Sequence, residues 1–266
     1  MNLIKILKYI SFLITSLVSR LTLISRLSLL SKPLEQKMIM TSSSTTTQSY
    51  DISLVRHGET TANRDGILQG HCDYPLTDKG INEAKLVGIK LDQANWDYVY
   101  CSDLKRASDT CKLLLSNNQI NPDTSRIEYT NLLREISFGV REALSKDIST
   151  DEAKVIVAKK LGIAIEDVID SAESIDAVQA RQQLFINKLI ELPFNDKINN
   201  ILVVSHGGYI RAFLRDFCLI HDMEKIKNCS ISKIRLKINK LDKSVSFECD
   251  RSNLNIVNHI KDIELV

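Results

Sequence analysis

No C-x-x-C pair occurs in this chain, and its six cysteines, at 72, 101, 111, 218, 229 and 249, follow no regular spacing. That argues against a disulfide framework or a zinc site and reads as buried or incidental thiols in a reducing compartment. No acid precedes Glu35, so the formal net charge of +2 is unevenly placed. Residues 1–48 hold Lys5, Lys8, Arg20, Arg26, Lys32 and Lys37 against Glu35 alone, which leaves the remainder at −3. A body of that charge carries no nucleic-acid footprint. The apolar stretch from Tyr9 to Val18 falls short of the roughly 20 residues that cross a bilayer. No internal repeat is visible, and neither glycine nor proline interrupts the sequence between Ile163 and Leu192.

What is present divides into two parts. Residues 1–48 are rich in Leu, Ile and Ser. Their polar positions at 5, 8, 11, 15, 16, 19, 22 and 26 have helical spacing, which gives one polar face. Basic, serine-rich and amphipathic is the composition of a mitochondrial presequence, here residues 1–37. The other reading is an extension upstream of a start at Met38 or Met40, which leaves the protein in the cytoplasm. "TSSSTTTQS" that follows is a polar linker too poor in apolar residues to fold. Residues 49–266 then form one globular domain by length and composition.

Within that domain, short runs rich in β-branched or aromatic residues at Ile52–Val55, Tyr98–Cys101, Arg126–Tyr129 and Ile201–Val204 predict strands. Helical stripes separate them: Ile81, Ala84, Gly88 and Leu91; Leu104, Ala107, Cys111 and Leu114; Ile210, Phe213, Leu214 and Phe217. Residues 148–192 read as helical throughout. "NCSISKIRLKI" and "VSFECD" predict two further strands at one side of the sheet. The alternation predicts an α/β fold, a three-layer α/β/α sandwich whose mostly parallel sheet has an antiparallel edge.

In such sheets ligands bind beyond the carboxyl ends of the strands. "SLVRHGET" ends one predicted strand in Arg56 and His57, and "ILVVSHGG" ends another in His206, with Gly207 and Gly208 opening a helix. Ser102 and Asp103 end a third, with Arg106 in the first turn of the helix they begin. Two arginines and two histidines at one sheet edge suit a phosphoryl group, because a guanidinium stays charged and matches phosphate oxygens bidentately. A neutral imidazole can attack phosphorus in line and leave a phosphohistidine for water to cleave. The second histidine would steady the oxygens as charge moves. With three cationic groups in place, the chemistry calls for no metal and no cofactor.

A lone R-H-G is a weak motif, and a single strand-end histidine is more often structural. Two such phrases with Arg106 make coincidence a poor explanation. His71, His221 and His259 have no comparable setting and read as surface or packing residues. His71 and Cys72, as adjacent ligands, do not complete a metal site.

Together these residues resemble the histidine phosphatase (phosphoglycerate mutase-like) superfamily over roughly residues 50–260. R-H-G-E-T-x-x-N is Arg56 to Asn63, followed by "LQG" and "YPLTDKG". S-x-L-x-R-A-x-x-T is Ser102 to Thr110, L-R-E-x-x-F-G is Leu133 to Gly139, and the second histidine phrase is Ser205 to Gly208. The resemblance implies that His57 is the nucleophile, with Arg56, Arg106 and His206 around the phosphate. It implies that Asn63, Gln69 and Gly70 line the substrate side, and that Glu135 protonates the leaving oxygen and then deprotonates water. Read alone, Glu135 passes for a surface acid. Glu59 is a weaker competitor, otherwise a turn residue.

"VVSHGGYIRAFL", "NCSIS" and "NLNIVNH" place the resemblance nearest the TIGAR-type fructose-2,6-bisphosphatases. That implies a small phosphorylated sugar as substrate, with Arg211 near the phosphate that is not cleaved. A broad phosphomonoesterase, a mutase, or a binding protein that holds a phosphorylated ligand are the alternatives. Ala143 stands where the family usually has glycine, and Ser171 and Ala172 replace a glycine pair before Glu173. The first bears on the turn after Glu135, the second on the shape of the substrate loop.

Overall fold

The computed structural model describes residues 46–91, 95–117, 127–194, 197 and 199–257. The presequence-like segment, most of the linker, Arg126 and His259 lie outside them. Six strands form one sheet: β1 (Thr47–Arg56), β2 (Tyr98–Ser102), β3 (Ile127–Thr130), β4 (Asn199–Ser205), β5 (Ile231–Asn239) and β6 (Val245–Cys249). Their order across the sheet is β3-β2-β4-β1-β5-β6. The pairs from β3 to β1 are parallel, and those of β5 with β1 and β6 are antiparallel. The expected parallel sheet with an antiparallel side is what forms.

Side-chain alternation splits the core into two layers, because successive residues of a strand face opposite sides. Tyr50, Ile52, Leu54, Ile201 and Val203 join one cluster with Phe185, Ile186, Leu189, Ile210 and Phe213. These come from α5 (Ile175–Ile190) and α6 (Gly207–Phe217). Val55, Leu202 and Val204 join the other with Ala84, Val87, Ala107, Cys111 and Leu114. These belong to α2 (Asp78–Lys90) and α3 (Lys105–Ser116). A one-turn helix, α1 (Thr61–Arg64), follows β1 and is closed by a capping box between Thr60 and Asn63.

The continuous helix expected over 148–192 is corrected to two. The first, α4 (Thr150–Leu161), begins at a capping box of Ser149 with Glu152 and ends at Gly162, which adopts φ 69°. Only a short 3-10 turn, Ile165–Asp167, intervenes before α5. The run without glycine or proline was compatible with helix, but left-handed backbone at Gly162 stops it just upstream.

The expectation that every cysteine is a thiol is also corrected. Cys218, at the end of α6, is bonded to Cys249, the last residue of β6, with a Cα–Cα distance of 6.1 Å. The two are 31 residues apart, and it is the return of the β5–β6 hairpin beside α6 that brings them together. Cys101, Cys111 and Cys229 are buried free thiols, and Cys72 is half-buried. No described helix is long and apolar enough to cross a membrane.

Candidate active site

The parallel strands β1, β2 and β4 deliver their carboxyl ends to one edge. His57 leaves β1 with its amide donating to the Ser205 carbonyl at the end of β4, 3.0 Å, so the two histidine phrases are stitched together by backbone. The imidazoles of His57 and His206 lie 5.1 Å apart, centroid to centroid, inclined at 57°. Both are buried, as are Arg56 and Arg106. The Nδ1 of His57 is 2.7 Å from the Gly58 carbonyl oxygen. A carbonyl can only accept, so Nδ1 carries the proton and Nε2 keeps its lone pair. The Nε2 of His206 contacts the Ser102 hydroxyl at 2.8 Å.

Each guanidinium is anchored by its outer nitrogens. Arg56 donates through Nη1 to the Ile226 carbonyl, 2.7 Å. Arg106 donates through Nη2 to the Gly70 carbonyl, 2.7 Å, and through Nη1 to the Cys72 carbonyl and Asp73, 2.9 and 3.2 Å. The Nε of Arg56, the Nε of Arg106 and the Nδ1 of His206 are buried with no hydrogen-bond partner among the described residues. Buried polar nitrogens are rarely left so. All three belong to residues near His57, whose ring lies 5.1 Å from that of His206 and feels the charges of Arg106 and Arg56, and free donors there fit an oxyanion.

Burial, and next to it the charges of Arg106 and Arg56, push His57 well below the ordinary imidazole value. Burial, Arg106, His57 and Arg56 do the same to His206. Both rings are therefore neutral near pH 7 in this state. For His57 that is the form a nucleophile needs.

Glu135 is seated at the start of α6. Its Oε2 accepts from the Gly208 amide, 3.0 Å, and its Oε1 from Tyr209 and Ile136, both 2.9 Å. The amides at the start of α6 are thus engaged by the protein's own carboxylate, a common use of a helix N-terminus. A Cβ on Gly208 would stand 2.6 Å from Oε1, so a side chain there would push the carboxylate from this seat. Glu59 accepts from the Thr77 hydroxyl, 3.0 Å, and faces Lys79, as a turn residue does.

One cavity of about 380 Å³ joins these groups. Arg56, His57, Asn63, Gln69, Gly70, Arg106, Glu135, Gly207 and Arg211 all line it. His206 is completely buried and does not line it, and Asp103, also outside the lining, is engaged by a bidentate pair with Arg134, 2.7 Å on each arm. His221 is exposed, in keeping with a surface role. His71 is exposed too, but its Nε2 reaches the Glu135 carbonyl oxygen at 3.0 Å, a contact with the acid's own backbone.

Sequence reasoning missed three residues here. Lys146 and Lys225 line the cavity. Burial lowers the Lys225 ammonium, helped by Arg56 and Lys146. Asn228 donates to the His57 carbonyl and to Asn63 Oδ1, both 3.0 Å. A lysine in a polar loop gives no periodic signal, and the asparagine was visible only as the first letter of "NCSIS".

The model of the histidine phosphatase superfamily (branch 1) matches residues 52–245. The adenosylcobalamin/alpha-ribazole phosphatase of Escherichia coli (strain K12) is 34% identical over 162 residues, 60% of this chain and 75% of that one. The fructose-2,6-bisphosphatase TIGAR B of Danio rerio is 29% identical over 205 residues, 66% of this chain and 77% of that one. Among solved structures, phosphoglycerate mutase from Bacillus anthracis str. Sterne aligns with a TM-score of 0.64 at 23% identity, covering 82% of this chain and 98% of that one. That last likeness is one of fold. With the matched span running from β1 into β6 and enclosing every group of the site, the chain belongs to the histidine phosphatase superfamily, branch 1.

Proposed function

We propose that this phosphatase hydrolyses fructose 2,6-bisphosphate to fructose 6-phosphate through a phosphohistidine on His57. One observation carries the reaction class: an imidazole with a free Nε2 lone pair, near residues that hold three buried, unpartnered nitrogens. The Nε2 lone pair attacks phosphorus, and the bond from phosphorus to the sugar oxygen breaks. The departing oxygen takes a proton that Glu135, a carboxylate while it accepts from three amides, has first received from the phosphate monoanion bound beside it. A water then gives its proton back to Glu135 and attacks the phosphohistidine, and the electron pair of the P–N bond returns to Nε2. Arg56, Arg106 and His206 hold the three transferred oxygens throughout. Each step uses side chains already lining one cavity or, in His206, buried beside one that does.

The bisphosphate assignment is supported by a second cationic group. Arg211, Lys146 and Lys225 line the same cavity as His57, and no described residue forms an ion pair with Arg211. Asn63, Gln69 and Gly70 would face the sugar between the two ends. The likeness to TIGAR B agrees with this reading. A second reading, a phosphoester of alpha-ribazole, is favoured by the 34% identity with the Escherichia coli phosphatase.

A panel of fructose 2,6-bisphosphate, alpha-ribazole 5'-phosphate, 3-phosphoglycerate and 4-nitrophenyl phosphate decides between them by kcat/KM. The proposal expects the bisphosphate to lead. Preference for the ribazole ester would replace the substrate and leave the chemistry intact. Phosphate transfer to 3-phosphoglycerate would make the protein a mutase. Binding without turnover of any of them would make it a phospho-ligand binding protein.

A further inference from the structure

The segment that carries Glu135 is not held by regular structure. A short 3-10 turn, Asn131–Leu133, ends at Arg134, and residues 134–138 belong to no helix or strand. Their carbonyls must find donors elsewhere if they are to be buried. Side chains supply those from Leu132 to Glu135. Arg181 on α5 donates through Nη1 to the carbonyls of Leu132 and Arg134, 3.0 and 2.8 Å, and through Nη2 to that of Glu135, 3.2 Å. The Ser205 hydroxyl takes the Leu133 carbonyl at 2.8 Å, between them.

Arg181 is itself fixed. Glu173 grips it with both oxygens, 2.6 and 2.9 Å, and the two side chains are only 13% and 15% exposed. The Glu173 Oε2 also accepts from the Ser137 amide, 3.3 Å, while the Glu173 amide donates to the Ser137 carbonyl, 2.9 Å. The guanidinium carbon lies 4.9 Å from the centre of the Tyr209 ring, and Tyr209 gives Glu135 Oε1 one of its amide donors. So Arg181 grips the acid's backbone on one side and packs against its seat on the other. A planar fork with five N–H groups can do this, whereas an ammonium on a flexible stem cannot.

We propose that Arg181, locked by Glu173, is a positioning residue for proton transfer: it sets where the Glu135 carboxyl stands relative to the leaving oxygen. The inference rests on the reading of Glu135 as the acid. It differs from a purely structural role in one consequence. Displacing the acid penalises leaving groups that need a proton and spares those that do not.

The test compares wild type with Glu135→Gln, Arg181→Gln, Arg181→Lys, Glu173→Gln and the Glu135→Gln/Arg181→Gln pair. Substrates are 4-nitrophenyl phosphate, whose leaving group needs little protonation, and glycerol 2-phosphate, whose leaving group needs it. The expectation for Glu135→Gln is a loss of about 100-fold or more in kcat on the alkyl ester, with formation of the phosphoenzyme from the aryl ester little changed. Arg181→Gln and Arg181→Lys should each show the same split at about 10-fold or more, because small misplacements of a reacting group are costly. Glu173→Gln keeps the guanidinium and should show the split weakly. In the Glu135→Gln background, Arg181→Gln should add nothing to the alkyl-to-aryl ratio.

If Glu135→Gln shows no split, the acid reading fails and the inference falls with it. If Glu135→Gln shows the split while Arg181→Lys and Glu173→Gln slow both esters equally or neither, the acid reading stands and the positioning role is overturned. Should Arg181→Gln fail to fold, the lysine and Glu173→Gln variants decide the question alone.

Discussion

His57 and His206 are neutral imidazoles shut away with two permanent cations, and that arrangement has a consequence for stability. Their values in the folded state are depressed by burial and by Arg106. The folded protein therefore binds fewer protons than the unfolded chain as pH falls. Their contribution is complete above the unfolded imidazole value near 6.5 and is lost as pH falls below it, toward the folded values. Each histidine should cost about 1.4 kcal/mol per pH unit in that window. Urea unfolding between pH 6.5 and 5 should show the slope, and His57→Asn should remove its share. An unchanged slope in that variant would mean that His57 titrates normally.

At Ala143 the backbone adopts φ 63°, a conformation glycine takes freely and alanine does not. The departure from glycine thus leaves the turn after Glu135 strained. An isolated antiparallel bridge of Ile67 with Ser145 lies beside it, and the Ala143 amide donates to the Leu68 carbonyl, 2.8 Å. Ala143→Gly should stabilise the protein by about 1 kcal/mol, read as a raised urea midpoint with kcat unchanged. A lowered midpoint would mean that the methyl group packs favourably enough to outweigh the strain.

The residues of the site were legible to different degrees. Arg56, His57 and His206 could be found from strand ends, and Arg106 from the first turn of the helix that follows one, because a polar residue at the end of a buried parallel strand has few other reasons to be there. Glu135 could not, since nothing local separates a cavity-lining acid in a loop from a solvated one, and it was singled out only through the resemblance. Arg181 was invisible, as one arginine of a helix whose exposed face carries other polar residues.

Among the elements, α6 joins the two ends of the proposed substrate. Its first turn receives Glu135, and Arg211 follows in its second, exposed at the cavity. Arg211→Ala should lower kcat/KM for fructose 2,6-bisphosphate by about 1.5 kcal/mol, near the lower end for a charge-assisted contact because the side chain is exposed to solvent. The rate on 4-nitrophenyl phosphate should hardly change. A uniform loss on both would place the damage in the shared pocket, and no loss on either would take Arg211 out of the site. Helices α2, α3 and α6 were readable from apolar stripes, each of which is largely buried. The break between α4 and α5 was not, because Ile165, Ile169 and Ile175 continue an apolar pattern while standing 48%, 85% and 65% exposed.

At the scale of the molecule, the fold places chemistry where the sheet's topology allows it. Parallel strands β2, β4 and β1 lie side by side and end together, so residues 56, 106 and 206, far apart in sequence, gather at one edge of the sheet. That convergence was predictable from alternating strands and helices. The pairing of Cys218 with Cys249 was not, since it depends on where the β5–β6 hairpin lands.

The central claim is that His57 carries the phosphoryl group, and a rapid acid- or alkali-quench of turnover with radiolabelled substrate tests it most directly. The account predicts label bound to protein through a linkage stable to alkali and labile to acid, located on the peptide containing His57 and absent from His57→Ala. Label on a serine, a cysteine or His206, or label that survives in His57→Ala, would contradict it.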